Sequence, residues 1–126
     1  MDTLTLSPEV RAATEALAVN LRQSESVVLY HLAHETLEAD PQARALLERF
    51  SAAQADLRAK QSRGAVTSAD VEHLRALQRE VQVNRTIMEY AETQQLAIAY
   101  LRETNQEISQ LIGMDFGSLA KRPGCC

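Results

Sequence analysis

Apolar residues recur along most of this chain at steps of three and four, the spacing that lines one face of an α-helix, and long stretches pass without a helix-breaking residue. Glycine and proline occur only at positions 8, 41, 64, 113, 117, 123 and 124, which leaves three long uninterrupted segments. In the first, Val10, Leu17, Leu21, Ser24 and Val28 keep the helical step, and the stripe widens near Leu29 and Leu32. Ser7 is followed by Pro8 and Glu9: a side-chain acceptor for free amides, a residue with preset φ, and a carboxylate suited to the positive helix end. A first helix is therefore expected to start there and run on to the corner at Asp40.

Asp40-Pro41 repeats the start signal, and Pro41 disfavours helical geometry at the residue before it. The second helix carries Ala43, Leu46, Leu47, Phe50, Ala53 and Leu57 on one side and charges on the other. Gly64 suits the left-handed end of that helix, and Thr67-x-x-Asp70 resembles a capping box in which Asp replaces Glu or Gln. A third stripe follows through Val71, Leu74, Leu77, Val81, Ile87, Tyr90, Ile98, Leu101, Ile108 and Ile112, almost to Gly113.

One helix over positions 68 to 112 would be about 67 Å long at about 1.5 Å per residue, against about 48 Å for the first. Either the segment bends or breaks near "VQVNRT", where Asn84 suits an N-cap, or a second subunit covers the overhang. Self-association is the favoured expectation, with the break left open. The pattern predicts an all-α fold: an antiparallel bundle of three long helices in a helical domain over residues 1–113. A flexible tail over 114–126, where Gly, Ser and Pro gather, ends the chain.

Composition narrows the function more than the fold. Hydrophobic residues make up 45% of the 126 positions and charged residues 24%, ordinary values for one folded domain. The formal charge of -4, with acids and bases interspersed, offers no basic stripe for phosphates, so direct nucleic-acid binding is not expected. No apolar run reaches the roughly 18 residues of a membrane span, and "MDTLTLSPEV" lacks the basic and apolar regions of a signal peptide. A cytoplasmic chain without membrane insertion is expected.

"HLAHE" puts His31 four residues before Glu35, with His34 and Glu38 one step round the helix. Solvent-exposed pairing is the simpler reading, because His73 is the only other histidine and zinc sites usually need three or four convergent ligands. Tyr30, Phe50 and Tyr90 fall on or beside apolar stripes and read as packing residues. Ser24, Asn84, Gln94, Gln95 and Asn105 interrupt the stripes with polar groups, which suits the setting of register between helices. No Ser/His/Asp set, carboxylate pair or Cys/His dyad can be assembled, so no enzyme is inferred.

The only cysteines are the last two residues, Cys125 and Cys126. An internal bridge between neighbours is strained, and nothing else in the chain can pair with them. Soft thiolates select zinc, copper(I) or iron-sulfur clusters, and such sites usually want four ligands, so the missing donors must come from another chain. A free pair of exposed thiols is the alternative.

The order and spacing of Ser24-Glu25, Tyr30, Ala33, Asp40, Ala43, Leu46 and Phe50, then Val81, Asn84, Ile87, Tyr90 and Ala91, resemble the YlbF/YmcA family of control-of-competence regulators over roughly positions 13 to 113. The resemblance implies a small, all-helical, self-associating cytoplasmic protein without catalytic activity. Members act as regulatory adaptors. In some bacilli two of them and a third protein form a complex that influences competence, sporulation and biofilm development and supports messenger-RNA processing by a membrane-bound endoribonuclease. Cysteines near the C-termini of those members help hold iron-sulfur clusters, and only Cys125 and Cys126 match that feature here.

Two readings follow. The first is a non-enzymatic adaptor, a homo-oligomer with a dimer favoured, that joins related family members and an endoribonuclease complex and offers Cys125 and Cys126 to an iron-sulfur or metal site shared with another chain. The second is a purely structural helical oligomerisation module whose cysteine tail is incidental.

Overall fold

A computed structural model describes residues 5–120, so Cys125 and Cys126 lie outside the described residues. Among the described residues there are six helices and no strand: α1 Pro8–Gln23, α2 Glu25–Glu38, α3 Pro41–Ser62, α4 Ser68–Val83, α5 Arg85–Ile112 and α6 Phe116–Leu119. The all-α expectation holds. Six helices stand where three long ones were expected, and the break left open at Asn84 is present.

Both additional breaks are single residues in extended conformation. Ser24 has φ -68° and ψ 144°, and Asn84 has φ -81° and ψ 112°. At Ser24 the hydroxyl donates to the Leu21 carbonyl at 2.6 Å and the backbone N–H reaches the same oxygen at 3.2 Å. Both donors are thus used in closing α1. Asn84 works in both directions: its N–H closes α4 on Val81 at 3.1 Å, and its side-chain oxygen accepts the Ile87 N–H at 3.0 Å to open α5. Short polar side chains compete for backbone groups in this way, which is why they favour helix ends over interiors. Ser24 and Asn84 therefore act within the backbone, in place of the register-setting role expected of polar groups on a stripe.

The other boundaries follow the sequence signals. Ser7 accepts the Val10 N–H at 3.2 Å and Asp40 accepts the Ala43 N–H at 3.0 Å, each with proline next in the chain. Gly64 and Gly113 take the left-handed backbone expected after a helix, with φ of 65° and 76°. Beyond Gly113, where no regular structure was expected, α6 forms one turn capped by Asp115. The Phe116 N–H donates to Ser109 Oγ at 3.0 Å, which ties this turn to the end of α5.

The chain divides into two compact units, Leu29–Thr93 and Met1–Val28 with Gln94–Cys126. The central unit holds the core: Leu37, Ala43, Leu46, Leu77 and Ile87 are buried, with Leu47, Phe50, Ala53, Val81 and Tyr90 packed around them. Every member of the predicted α3 face except Leu57 belongs to this cluster. Within it α3 and α4 form an antiparallel hairpin, as the pairs Lys60–Asp70 and Arg49–Glu80 run in opposite chain directions. Burying a leucine side chain contributes about 1.5–3 kcal/mol, so three buried leucines and an isoleucine account for much of what holds this unit.

Candidate docking surface

The unit formed by the two ends of the chain is built differently. Its helical parts carry clear apolar stripes, yet Ala97 is its only buried apolar residue among those described. α1 buries none at all. On α1, Val10 is 49% exposed and Leu17 38%. On the distal half of α5, Leu101 is 45% exposed, Leu111 84% and Ile112 50%. Phe116 and Leu119 on α6 are exposed as well.

The stripe on α5 has coiled-coil spacing: Gln94, Ala97, Leu101, Thr104, Ile108 and Leu111 are separated by alternating steps of three and four. An amphipathic helix gains most of its stability from burying its apolar face, and these faces have little within their own unit to bury against. Every ion pair among the described residues falls between His34 and Glu89, outside the described part of this unit. Its surface suits a helical partner.

The central unit contains the polar groups that sequence reasoning singled out. His34 Nε2 lies 3.9 Å from Glu38 Oε1, with both side chains about half exposed, the geometry of a weak surface pair. No group of three or more His, Cys, Asp or Glu side chains converges to hold a metal among the described residues. The Tyr30 and Tyr90 hydroxyls are 3.3 Å apart, and the His34 ring centroid lies 5.9 Å from that of Tyr90. The Tyr30 hydroxyl, then burial, then the nearby Glu38 charge raise the Tyr90 phenol above its ordinary pKa. These rings fasten α2 to α5 inside the unit, the packing role expected for them.

Two polar nodes were only half legible. The Thr67–Asp70 capping box is present, and Lys60 joins it from α3, with Nζ 2.8 Å from Asp70 and 3.2 Å from Asp56. The Lys60 ammonium first, then the Thr67 N–H and hydroxyl, hold the Asp70 carboxyl down at about 2. At the other end of α3, the Ala43 N–H and then the Thr86 hydroxyl lower the pKa of Asp40. The residue that caps α3 is thereby joined to the start of α5. Nothing in the local sequence signals either long-range partner.

Residues 10–112 match the family described as control of competence regulator ComK, YlbF/YmcA. The chain belongs to this family. The X-ray structure of Bacillus subtilis RicA in complex with RicF superimposes with a TM-score of 0.74 at 19% identity, covering 86% of this chain and 96% of that one. At that identity the likeness establishes a shared fold, and the fold is one that RicA brings to a complex with another protein. No curated protein gives a significant sequence match. As a YlbF/YmcA member the chain belongs to a family of regulators, and no helix among its described residues is long and apolar enough to cross a membrane.

Proposed function

We propose that this chain is a non-enzymatic, cytoplasmic regulatory adaptor that self-associates and assembles with partner proteins through the exposed stripes of α1 and distal α5. The observation that carries the reading is the imbalance between units: one buries a leucine-rich core, and the other leaves Val10, Leu17, Leu101 and Ile112 each more than a third exposed. Exposed apolar side chains at helical spacing on a regulator are accounted for by a protein surface laid against them. Family membership and the RicA–RicF complex support the same reading. Control of competence, sporulation and biofilm development, and support of an endoribonuclease in RNA processing, are the processes in which we propose that the adaptor acts.

The cysteine pair forms the second part of the proposal. Cys125 and Cys126 supply two soft thiolates, half of what a cluster or a sulfur-rich zinc site takes, so this chain fits such a group only with donors from another chain. In that arrangement metal loading requires the donors of an assembled partner, while docking is carried by the stripes.

Anaerobic affinity purification from the native cell, with identification of co-purifying proteins and assay of iron and sulfide, tests both parts. Leu17→Asp/Leu101→Asp is expected to lose the partners, and Cys125→Ser/Cys126→Ser to keep them while losing iron. Partners retained by the first variant refute docking through the stripes. Equal, negligible iron in wild type and cysteine variant refutes ligation and leaves the purely structural reading in its place.

A further inference from the structure

The central unit has an open groove of about 260 Å³ between α2 and α5. One wall is Leu29, Leu32 and Thr36 of α2; the other is Glu89, Glu92 and Thr93 of α5. Leu29 and Leu32 are 40% and 54% exposed, so the apolar wall faces solvent. The opposite wall carries the acidic groups.

The groove offers acceptors and apolar surface, with its hydroxyl donors already used. Thr36 donates to the Leu32 carbonyl at 2.9 Å, and Thr93 to the carbonyls of Glu89 and Tyr90 at 2.9 and 3.0 Å. Each threonine therefore has a methyl group and oxygen lone pairs left to offer. Glu89 pairs with Arg85 at 2.8 Å, but the arginine side chain is 90% exposed, so the pair is weak and readily exchanged. The Glu92 side chain has no hydrogen-bond or ion-pair partner among the described residues. An anion entering here meets carboxylates and no donor. A cation meets an unpaired carboxylate beside an aliphatic wall.

Size selects between classes of cation. Small-molecule sites enclose about 300–1,000 Å³ and surround their ligands, whereas this space is smaller and open along its length. From Leu29 to Thr36 the wall extends about 10 Å, close to two turns of a docked helix. That matches recognition of an amphipathic helix through side chains at i, i+4 and i+7.

We infer that the α2–α5 groove is a second docking site, which receives an amphipathic helix of a partner protein with leucine-type side chains against Leu29 and Leu32 and an arginine or lysine against Glu92. It needs nothing from the exposed stripes of α1 and distal α5, so the two sites can fail separately.

The probes are two lactam-bridged helical peptides of about 16 residues, long enough for the helix to hold once bridged. Both carry leucine at i, i+4 and i+7; one has arginines beside them and the other glutamates. Fluorescence anisotropy with the full chain is expected to show the arginine peptide binding about tenfold more tightly than the glutamate peptide, with the preference shrinking as salt rises from about 0.05 to 0.5 M. Glu92→Lys should remove that preference, and Glu89→Lys/Glu92→Lys should reverse it. Leu32→Ala should weaken both peptides. Equal affinities for the two peptides, no effect of Glu92→Lys, or no binding of either up to about 1 mM overturns the inference. A change in the oligomeric state of the chain alone on Glu92→Lys also overturns it, by making the groove a contact between copies.

Discussion

Leu101→Ala tests the docking surface with a magnitude set by the structure. The side chain is 45% exposed, so slightly less than half of its burial remains for a partner to complete. Full burial of a leucine contributes about 1.5–3 kcal/mol, which leaves about 1 kcal/mol per copy for assembly. A two-fold interface uses the residue twice, so truncation is expected to cost about 2 kcal/mol of association, a factor of about 30 in the dissociation constant. The monomer loses a comparable amount, about 1 kcal/mol per chain, because slightly more than half of the side chain is already buried within it, and a half-exposed site adds no enclosed cavity to that loss.

Sedimentation velocity over a concentration series should therefore show the association midpoint moving about 30-fold higher. Circular dichroism in the dilute limit should show helicity unchanged. Val83→Ala is the control: Val83 is 83% exposed, lies at the end of α4, and is off the stripes of α1 and distal α5, so the midpoint should stay in place. Coincident midpoints for wild type and both variants refute the reasoning. So does a loss of helicity at Leu101→Ala that accounts for the shift, because Leu101 would then support the monomer.

The carboxyl of Asp70 is held at about 2 in the folded chain against an ordinary 3.8, so its contribution is present above about pH 4 and is lost as the pH falls through about 2. Thermal melts from pH 7 down to about pH 2 should show that loss in the wild type and less of it in Asp70→Asn. Asn84→Ala removes the acceptor for the Ile87 N–H and should cost about 1 kcal/mol in urea unfolding, with Asn84→Ser retaining most of it. A Cβ on Gly117 would meet the Asn105 side-chain amide at 3.0–3.3 Å, so Gly117→Ala should loosen α6, read as faster amide exchange at Leu119, and Asn105→Ala should restore it.

Helix starts and ends were the most legible features, because a cap is settled within four residues. Ser7, Asp40 and the Thr67–Asp70 box could each be read from neighbours in the chain, as could Gly64 and Gly113. Asn84 was readable as a candidate cap once the expected third helix proved too long. Ser24 was not, because the apolar step continues across it from Leu21 to Val28 and periodicity gives no sign of a break. The competing signal was the residue type itself: a serine that can bond to the preceding turn. The docking surface was legible as stripes and illegible as a surface, since Leu77 and Leu101 occupy equivalent places in one periodic pattern.

By itself, the sequence determined that the chain is helical, where most helices begin and end, and which side of each helix is apolar, because these depend on backbone geometry and groups within about one helical turn. Tertiary structure decided which apolar sides are used. Leu77 is 4% exposed and Leu101 45%, since α3 lies against α4 while distal α5 has no comparable cover within its own unit. It also brought Lys60 to Asp70, Thr86 to Asp40 and Tyr30 to Tyr90, pairings that depend on how separate helices are placed in space. Local pattern marks a face as apolar; only packing determines whether that face becomes core or is left for a partner.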